Sequence, residues 1–315
     1  MKENAQRDSF QLKLHAFLQV SRANLLLASI GHATLGMFLA AGSLSNLFSL
    51  EAGFFIILHY NIALFGCNVN SYFDYDVDRL YKNYMADGVD IIGRSTLRLF
   101  IIIEGIIALF LIMMFFYLGY VIVSLLALIG LVGALLYSAE PVRIKKHGLL
   151  SPIPVLILYS FPLFGGWFLF QSSLSLVFVV FVIGYMLMNE GFTLVNTCED
   201  YTEDNKKGIV TWAHIFGLQK TLLAAFVFSL SGLLCVVSLG IVLFQKFQDS
   251  SLLSFPAVIC LFFTVLLIGK ASFEVRNVSL GDDLEERAKR YGVRLQRWFM
   301  MTRYPLMITA FLILL

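Results

Sequence analysis

The segment "NSYFDYDVDRLYKN" (residues 70–83) places the carboxylates of Asp74, Asp76 and Asp78 directly after an apolar stretch at 52–73. An apolar stretch of this length is typical of an α-helix that crosses the hydrocarbon layer of a membrane, which is roughly 30 Å thick. Negative charge is costly at the end of such a helix unless water or a cation stabilises it. The segment therefore predicts a transmembrane helix that ends in an acidic cluster with a role of its own.

The composition of the whole chain is typical of a membrane protein. Of its 315 residues, 59% are hydrophobic and only 14% are charged, whereas about a quarter of the residues in soluble domains are charged. The apolar stretches predict an all-α integral membrane protein with nine transmembrane helices, near residues 18–42, 52–73, 97–117, 119–138, 150–171, 174–195, 221–245, 252–270 and 297–315.

The basic residues predict the orientation of the chain. If the N-terminus is cytoplasmic, every Lys and Arg except Lys246 falls on the cytoplasmic side of the predicted helices. Because cytoplasmic loops are enriched in these residues, we expect a cytoplasmic N-terminus and, in a prokaryote, a location in the plasma membrane. The polar N-terminal segment argues against a cleavable signal peptide. The net charge of +2 gives no indication of a nucleic-acid partner, and the four cysteines lack a metal-binding spacing.

An asparagine followed by aspartates four and eight residues later occurs in the first segment and again 126 residues further on. The second copy lies in "NTCEDYTEDNKKG" (residues 196–208), after the sixth predicted helix. Positions 0, 4 and 8 of an α-helix lie within about 80° of one another, so each trio is expected on one helix face, with Asp76 off that face. The recurrence indicates two pseudo-repeated halves within a single membrane domain, residues 1–315. The two trios are Asn70, Asp74 and Asp78, and Asn196, Asp200 and Asp204.

The two trios indicate metal binding. Four carboxylates that lie close together repel one another unless cations neutralise them. Mg²⁺ binds carboxylate and amide oxygens and completes its coordination with water and substrate phosphate. The template therefore predicts a pair of Mg²⁺ sites that face a polyphosphate, with the metal ligands Asn70, Asp74, Asp78, Asp200 and Asp204. The alternative is that these are solvated loop acids that balance nearby Lys and Arg.

A third segment, "LLYSAEPVRIKKHG" (residues 135–148), follows the fourth predicted helix. It contains Tyr137, Arg143, Lys145 and Lys146, and Pro141 prevents a simple continuation of the helix. The segment is either a membrane anchor with an interfacial tyrosine, or a basic strap over bound phosphates that would neutralise a departing pyrophosphate.

These three segments, in this order, resemble the motifs of the UbiA superfamily of intramembrane prenyltransferases: an N-(D)-xx-D-xxx-D motif, a Y-S-x-x-P-x-R-x-K loop and a D-xx-D-xxx-D motif. The segments "SRANLLLASIGHATLG" (21–36) and "DNKKGIVTWAHIFG" (204–217) are similar to two further family segments. The chain departs from the family at Ser71 and Thr197, where acidic residues are usual, and at Glu140, where a proline is usual. The Arg- and Pro-rich stretch after the first motif is replaced by residues 81–96.

The resemblance implies a helical bundle around a central cavity and Mg²⁺-dependent transfer of a polyprenyl group from an isoprenyl diphosphate to a hydrophobic acceptor, with two Mg²⁺ ions. The acceptor could be a quinone-ring precursor, a tetrapyrrole, a lipid-like alcohol or a sugar. An intramembrane terpene cyclase and a cation-coupled transporter remain alternatives. The implied catalytic residues are Asp74, Asp78, Asp200, Asp204, Lys145 and Tyr137, and the implied substrate-binding residues are Asn70, Asn196, Arg143, Arg79, Lys82 and Asn24, with Arg94 in addition.

Several further polar residues lie within the predicted helices. An ionisable residue at such a position is costly and is a functional candidate by default. Glu104 could be protonated, paired with another helix or a base for the acceptor, and Glu190 and Asn189 pose a similar choice. We expect His32 to be a hydrogen-bonded interior histidine, and Arg22 either to reach the membrane interface or to face the site. The charged run at 281–290 is expected to be solvated or to cover the site.

Overall fold

The computed structural model describes residues 2–81, 83–150, 152–206, 208–246 and 254–315, without the side chains of 2–9, 23–30, 81, 154, 155, 293 and 296. The described residues form α-helices and two short 3-10 helices, Ile144–Lys146 and Gly148–Leu150. In chain order the α-helices are α1 (Lys2–Val20), α2 (Ala23–Ala40), α3 (Leu44–Leu47), α4 (Leu50–Phe73), α5 (Tyr75–Tyr81), α6 (Asn83–Ile92), α7 (Arg94–Tyr117), α8 (Val121–Ser138), α9 (Ile153–Phe168), α10 (Leu176–Glu199), α11 (Tyr201–Lys206), α12 (Trp212–Phe216), α13 (Leu218–Leu230), α14 (Gly232–Lys246), α15 (Ser254–Ser279) and α16 (Leu284–Leu314).

Each predicted span corresponds to helical structure, and the chain is an all-α protein. Six helical segments among the described residues are long and apolar enough to cross a membrane: Leu50–Phe73, Arg94–Tyr117, Val121–Ser138, Leu176–Glu199, Leu218–Lys246 and Ser254–Ser279. A shorter apolar helix covers Leu156–Phe168. The total of nine spans therefore stays a prediction. The predicted span 221–245 is divided into α13 and α14, which meet at Ser231.

The chain divides into two compact units, each with its own packed helices. The first contains residues 1–30 and 54–144, and the second contains residues 31–53 and 145–315. In the first unit α6 packs against α1, α5 and α7, and α7 packs against α8. The arrangement of the pseudo-repeat within a single domain was a prediction from the sequence and stays one.

Helix α10 is central to the second unit, where it packs against α9, α13, α14 and α16. Two glycines one heptad apart allow α13 and α14 to approach its backbone. A Cβ at Gly184 would lie 2.7 Å from the carbonyl oxygen of Ser231, and a Cβ at Gly191 would lie 2.8 Å from that of Ala225. Small residues at such positions allow close helix packing inside a membrane, where lipid-facing surfaces are also apolar.

Replacement of Gly184 by alanine is expected to destabilise the protein. The added methyl group overpacks the contact with α14, which typically costs about 1–3 kcal/mol, and thermal unfolding in detergent should show a lower midpoint. Gly240→Ala on α14 is the matched control, because the structure describes no atom within 4 Å of the added Cβ there. Equal midpoints for the two variants would contradict the close contact.

Candidate functional site

The first acidic motif lies at a break between two helices. Helix α4 ends at Phe73 and α5 begins at Tyr75, so that Asp74 stands between them. The backbone N–H of Asp74 donates to the carbonyl oxygen of Asn70 at 2.9 Å, and that of Asp78 donates to the carbonyl oxygen of Asp74 at 2.7 Å. The spacing of one helical turn between the three residues is therefore kept across the break.

The second motif repeats this geometry. Helix α10 ends at Glu199, α11 begins at Tyr201, and Asp200 stands between them. Its N–H donates to the carbonyl oxygen of Asn196 at 3.0 Å, and the N–H of Asp204 donates to that of Asp200 at 2.8 Å. The sequence predicted two continuous helices, whereas each helix stops at the first aspartate of its motif. Aspartate favours such breaks because its side chain competes with the backbone for hydrogen bonds.

The three aspartates of the first acidic segment differ in solvent exposure. Asp78 is 7% exposed and Asn70 is 9% exposed, whereas Asp76 is exposed. Asp76 thus lies off the buried face, as its angular position predicts. The hydroxyl of Ser138, at the end of α8, donates to Oδ1 of Asn70 at 2.8 Å and orients that amide.

Arg143 links the basic loop to the first motif. Its Nη2 donates to Oδ1 of Asp74 at 2.7 Å and its Nη1 donates to Oε1 of Glu140 at 2.9 Å. The side chains of Arg143 and Asp74 are only 9% and 14% exposed. Arg143 adopts a left-handed backbone conformation with φ of 35°, which is unfavourable for a non-glycine residue. Glu140, the acidic departure from the family loop, is therefore paired within that loop.

Two further predicted phosphate ligands are Arg79, in the last turn of α5, and Arg94, at the start of α7. Arg79 pairs with Asp87 and Asp90 of α6, at exposed positions. The guanidinium of Arg94 lies over the rings of Tyr72 and Tyr75, at 5.0 and 5.3 Å from their centroids. In the structure Arg79 is thus compensated by carboxylates, whereas Arg94 is held by aromatic rings.

A histidine that the sequence analysis did not single out fixes the backbone after Asp200. The Nδ1 of His214 accepts from the N–H of Thr211 at 3.2 Å, and its Nε2 lies 3.0 Å from the carbonyl oxygen of Tyr201. This arrangement requires a neutral imidazole with the proton on Nε2. The ring also stacks on that of Tyr201 at 4.4 Å between centroids. The sequence signal for the contact with Thr211 is the spacing of three residues between Thr211 and His214, which form a capping box at the start of α12.

The start of α16 contacts the second motif through side chains. Oε2 of Glu285 accepts from the hydroxyl of Thr202 at 2.6 Å, and its Oε1 lies 2.9 Å from Nζ of Lys289. Burial acts to raise the pKa of Glu285, but the hydrogen bonds from Thr202 and Lys289 bring it below its usual value. The hydrogen bond to Glu285 raises the pKa of Lys289, and the charges of Glu203 and Asp200 act in the same direction. The charged run at 281–290 is therefore attached to α11 rather than simply solvated.

The remaining predicted residues have varied surroundings. Tyr137 lies in the last turn of α8 and Lys145 in the 3-10 helix Ile144–Lys146, both half-buried, and Asn196, Asp200 and Asp204 are also half-buried. The side chains of Asn24 and Lys82 lie outside the described residues. At the two departures from the family motif, Ser71 donates to the carbonyl oxygen of Val20 at 3.0 Å and Thr197 donates to that of Leu194 at 2.8 Å.

The donor set fits Mg²⁺ that arrives with a phosphate ligand. Among the residues that the structure describes, no three His, Cys, Asp or Glu side chains converge to hold a metal alone. Each motif offers two carboxylates and an amide oxygen at one-turn spacing. Mg²⁺ is commonly held by one or two carboxylates, with water and substrate phosphate completing the octahedron. These residues are therefore suited to bind an ion together with a diphosphate.

The interior polar residues are largely engaged with other helices. Oε1 of Glu104 accepts from Asn68 of α4 at 2.7 Å, so this carboxyl is paired with another helix, one of its three predicted states. His32 lies 2.7 Å from the hydroxyl of Tyr185, which confirms the prediction of a hydrogen-bonded interior histidine. Glu190 is 1% exposed, and both of its carboxyl oxygens lack a hydrogen-bond partner in the described part of the chain.

Comparison with known proteins shows one family match. The UbiA prenyltransferase family matches over residues 29–281, most of the chain. A comparison with curated protein sequences finds no match.

Several solved structures share the fold over nearly the whole chain. A structure of digeranylgeranylglyceryl phosphate synthase is 18% identical, with a TM-score of 0.66, and covers 95% of this chain and 99% of that one. A UbiA homologue from Archaeoglobus fulgidus bound to DMAPP and Mg²⁺ is 16% identical, with a TM-score of 0.64 and coverage of 92% and 98%. An apo UbiA homologue from Aeropyrum pernix K1 is 15% identical, with a TM-score of 0.60 and coverage of 88% and 98%.

The ion pair between Arg143 and Asp74 should behave as a coupled unit. Arg143→Gln and Asp74→Asn are each expected to lower stability, since loss of one partner from a buried pair typically costs about 3–5 kcal/mol. The double variant should lose less than the sum of the two, which a thermal-unfolding double-mutant cycle measures. Arg98→Gln, an exposed position on α7, controls for the charge change. Additive losses would contradict the pairing.

The contact between Glu285 and Thr202 should depend on pH. Because the pKa of Glu285 is lowered in the fold, its contribution to stability is present at neutral pH and is lost as the pH falls through that lowered pKa. Glu285→Gln is therefore expected to lower the unfolding midpoint at pH 7, with the difference from the unmodified protein shrinking in acid. The neighbouring exposed acid provides the control variant Glu286→Gln, and an equal effect of both substitutions would exclude a specific contact.

Proposed function

The chain belongs to the UbiA prenyltransferase family, and we propose that it transfers a polyprenyl group from an isoprenyl diphosphate to a hydrophobic acceptor, aromatic or lipid-like, within the membrane. In this reaction the bond between C1 of the prenyl chain and the diphosphate breaks, pyrophosphate leaves, and the acceptor forms the new bond and loses a proton. The Archaeoglobus fulgidus homologues bound to DMAPP or GPP with Mg²⁺ support a prenyl diphosphate and a divalent metal as ligands.

The observation that carries this proposal is the matching pattern of backbone hydrogen bonds in the two acidic motifs. In each, an amide, a first aspartate at a helix break and a second aspartate follow one another at one-turn spacing, joined by the same two hydrogen bonds. A chance cluster of loop acids would not reproduce this pattern in two places. Repeated carboxylates at matched positions are what two metal sites for one diphosphate require.

In the proposed site each motif holds one Mg²⁺, through Asp74 and Asp78 with Asn70 in the first motif, and through Asp200 and Asp204 in the second. Mg²⁺, when bound, neutralises the diphosphate and stabilises the charge of the leaving pyrophosphate. Asn196 takes part in substrate binding at the second motif, as predicted from its template position.

The basic side chains have separate tasks in this proposal. Arg143 orients the carboxylate of Asp74, with which it is paired at 2.7 Å. Lys145 and the hydroxyl of Tyr137 bind the departing diphosphate, together with Arg79, Lys82 and Arg94. The long prenyl chain binds among the apolar helices, where each buried CH₂ contributes about 0.8 kcal/mol.

The proposed topology follows from the distribution of basic residues. Nine helices span the membrane in a bundle around a central cavity, the N-terminus is cytoplasmic, and the acidic motifs lie at the cytoplasmic ends of their helices. In a prokaryote this membrane is the plasma membrane. Cysteine labelling with a membrane-impermeant reagent at positions 83 and 205 would test the assignment, since both should be protected from outside the cell.

A terpene cyclase is the alternative for which the departures at Ser71 and Thr197 leave room, since both hydroxyls donate to backbone carbonyl oxygens and neither residue supplies the usual acidic ligand. Both use the same ionisation of a diphosphate. Purified protein given farnesyl or geranylgeranyl diphosphate and Mg²⁺ without an acceptor distinguishes them. A cyclase produces a hydrocarbon or an alcohol, whereas a transferase should be nearly inert until a pool of membrane lipids is added, after which mass spectrometry should detect a prenylated product.

The aspartates of the motifs should be essential for turnover. Asp78→Asn and Asp200→Asn are each expected to reduce the rate of prenyl transfer about 100-fold or more, as loss of a group that stabilises developing charge does. Asp76→Asn, at the exposed position between two motif residues, should retain near-normal activity. Full activity of either motif variant, at unchanged expression, would refute the metal assignment.

A further inference from the structure

Helix α1 carries a row of exposed apolar side chains along one side. Phe10, Leu14 and Leu18 follow one another at intervals of four residues, so they lie within about 80° of one another around the helix axis. Their side chains are 67%, 46% and 45% exposed. The exposed polar residues Gln11 and His15 lie on the next side of the helix. These three apolar residues, the α1 stripe, are thus only partly covered by the described part of the chain.

The other side of α1 is packed within the first compact unit. Ala16 and Val20 are buried, and a Cβ at Gly88 of α6 would lie 2.7 Å from Cγ2 of Val20. The ring of Phe17 meets that of Phe100 on α7 edge to face, with 4.9 Å between the centroids. Contacts with two different helices fix the rotation of α1 about its axis. The direction in which the α1 stripe faces is therefore set by the fold.

The α1 stripe adjoins the lipid-facing surface of α7. This helix is one of the segments long and apolar enough to cross a membrane. Phe100 lies near its start, and the neighbouring side chains of Leu99 and Ile103 are 53% and 43% exposed. On α1, Phe17 and Phe10 are only about 20° apart around the axis, so the stripe begins directly beside the contact with α7. The stripe therefore lies near the level at which α7 enters the membrane.

The composition of α1 is typical of a helix that lies in the membrane surface rather than one that crosses it. Its first eight residues, 2–9, are polar except for Ala5, so the apolar part is too short to span the hydrocarbon layer. The helix contains three basic and two acidic residues, a small net charge that favours apolar contact over electrostatic attraction as the cause of binding.

A second protein chain is a poor match for the α1 stripe. A stable protein interface buries roughly 800 Å² on each partner, which is far more than three partly exposed side chains offer. Lipid requires no such area, because the neighbouring surface of α7 is already in contact with it. The occupant that the surroundings favour is therefore the bilayer itself.

We propose that α1 lies in the surface layer of the membrane, with Phe10, Leu14 and Leu18 among the lipid chains, as a lipid contact additional to the transmembrane helices. A helix of this kind buries its apolar side about 5–10 Å into the boundary between headgroups and acyl chains. The proposal depends on α7 as a membrane-spanning helix and not on prenyl transfer.

This contact lies close to the first acidic motif. The packed side of α1, with Ala16 and Val20, belongs to the same apolar cluster as Tyr72 and Tyr75, which flank Asp74 in the sequence. A lipid-bound α1 would therefore support the helices next to this motif from the membrane surface.

Spin-label accessibility tests the position of the α1 stripe. The full chain with Cys67→Ser and Cys260→Ser, which removes the two half-buried cysteines, is placed in nanodiscs of zwitterionic lipid and labelled at Leu14→Cys. Oxygen concentrates in lipid, whereas a nickel chelate stays in water. We expect the ratio of oxygen to nickel collisions to be several-fold higher at Leu14→Cys than at Leu12→Cys. Leu12 is the matched control, because it is 54% exposed on the same helix but about 160° away from Leu14.

Each other outcome overturns the proposal. Equal ratios at the two positions would place α1 in water. Low accessibility of Leu14→Cys to both reagents would assign the stripe to a protein contact, such as a second copy of this chain. A high ratio that appears only after phosphatidylglycerol is added would assign the contact to charge. Labels at Phe10→Cys and Leu18→Cys should repeat the result at Leu14→Cys, so that a local disturbance by one label does not decide the outcome.

Discussion

Charge compensation in a low-dielectric environment is the constraint on which the polar architecture of this protein depends. Each buried charge must find a partner, because the cost of leaving an ion unpaired among apolar helices is several kcal/mol. Asp74 finds Arg143, and Glu285 finds Lys289 and Thr202. Arg303 and Glu190 are exceptions, because the described residues offer Arg303 an amide but no carboxylate and offer the carboxyl group of Glu190 no hydrogen-bond donor. Ion pairs within the fold and the proposed ligand contacts therefore share residues, since Asp74 is paired with Arg143 and is also a proposed metal ligand.

The location of the helices could be predicted from the sequence, because long apolar runs have few alternatives to helix inside a membrane. The equivalence of the two acidic motifs could also be predicted, because the spacing of four residues is the same in both although the surrounding sequences differ. The helix break at the first aspartate of each motif could not be predicted. It depends on competition between the side chain and the backbone for hydrogen bonds rather than on the hydrophobic pattern. The number of spans stays a prediction, as do the catalytic and metal-binding roles of the motif residues.

The other features that could not be predicted are contacts between residues that lie far apart in the sequence. A charged run such as 281–290 is typical of a solvated segment, and nothing in its pattern indicates that Glu285 binds a threonine more than 80 positions earlier. His214 is similar, because its contact with the backbone carbonyl oxygen of Tyr201 has no sequence signal. Arg303 could have been singled out as an arginine inside an apolar helix, but the distribution of basic residues assigned it to the cytoplasmic side.

The pairing of α10 with α16 has a consequence for how the family can vary in length. The two helices run antiparallel, with Arg303 at Asn189, Gly292 against Glu199 and Glu285 at Thr202. One residue inserted into α16 between Glu285 and Arg303 would rotate one contact by about 100° relative to the other. The segment before α16 can therefore change in length, but an insertion or deletion between Glu285 and Arg303 would uncouple the contact at Thr202 from the contact at Asn189. Descendants of this sequence should show substitutions in that stretch but a fixed number of residues.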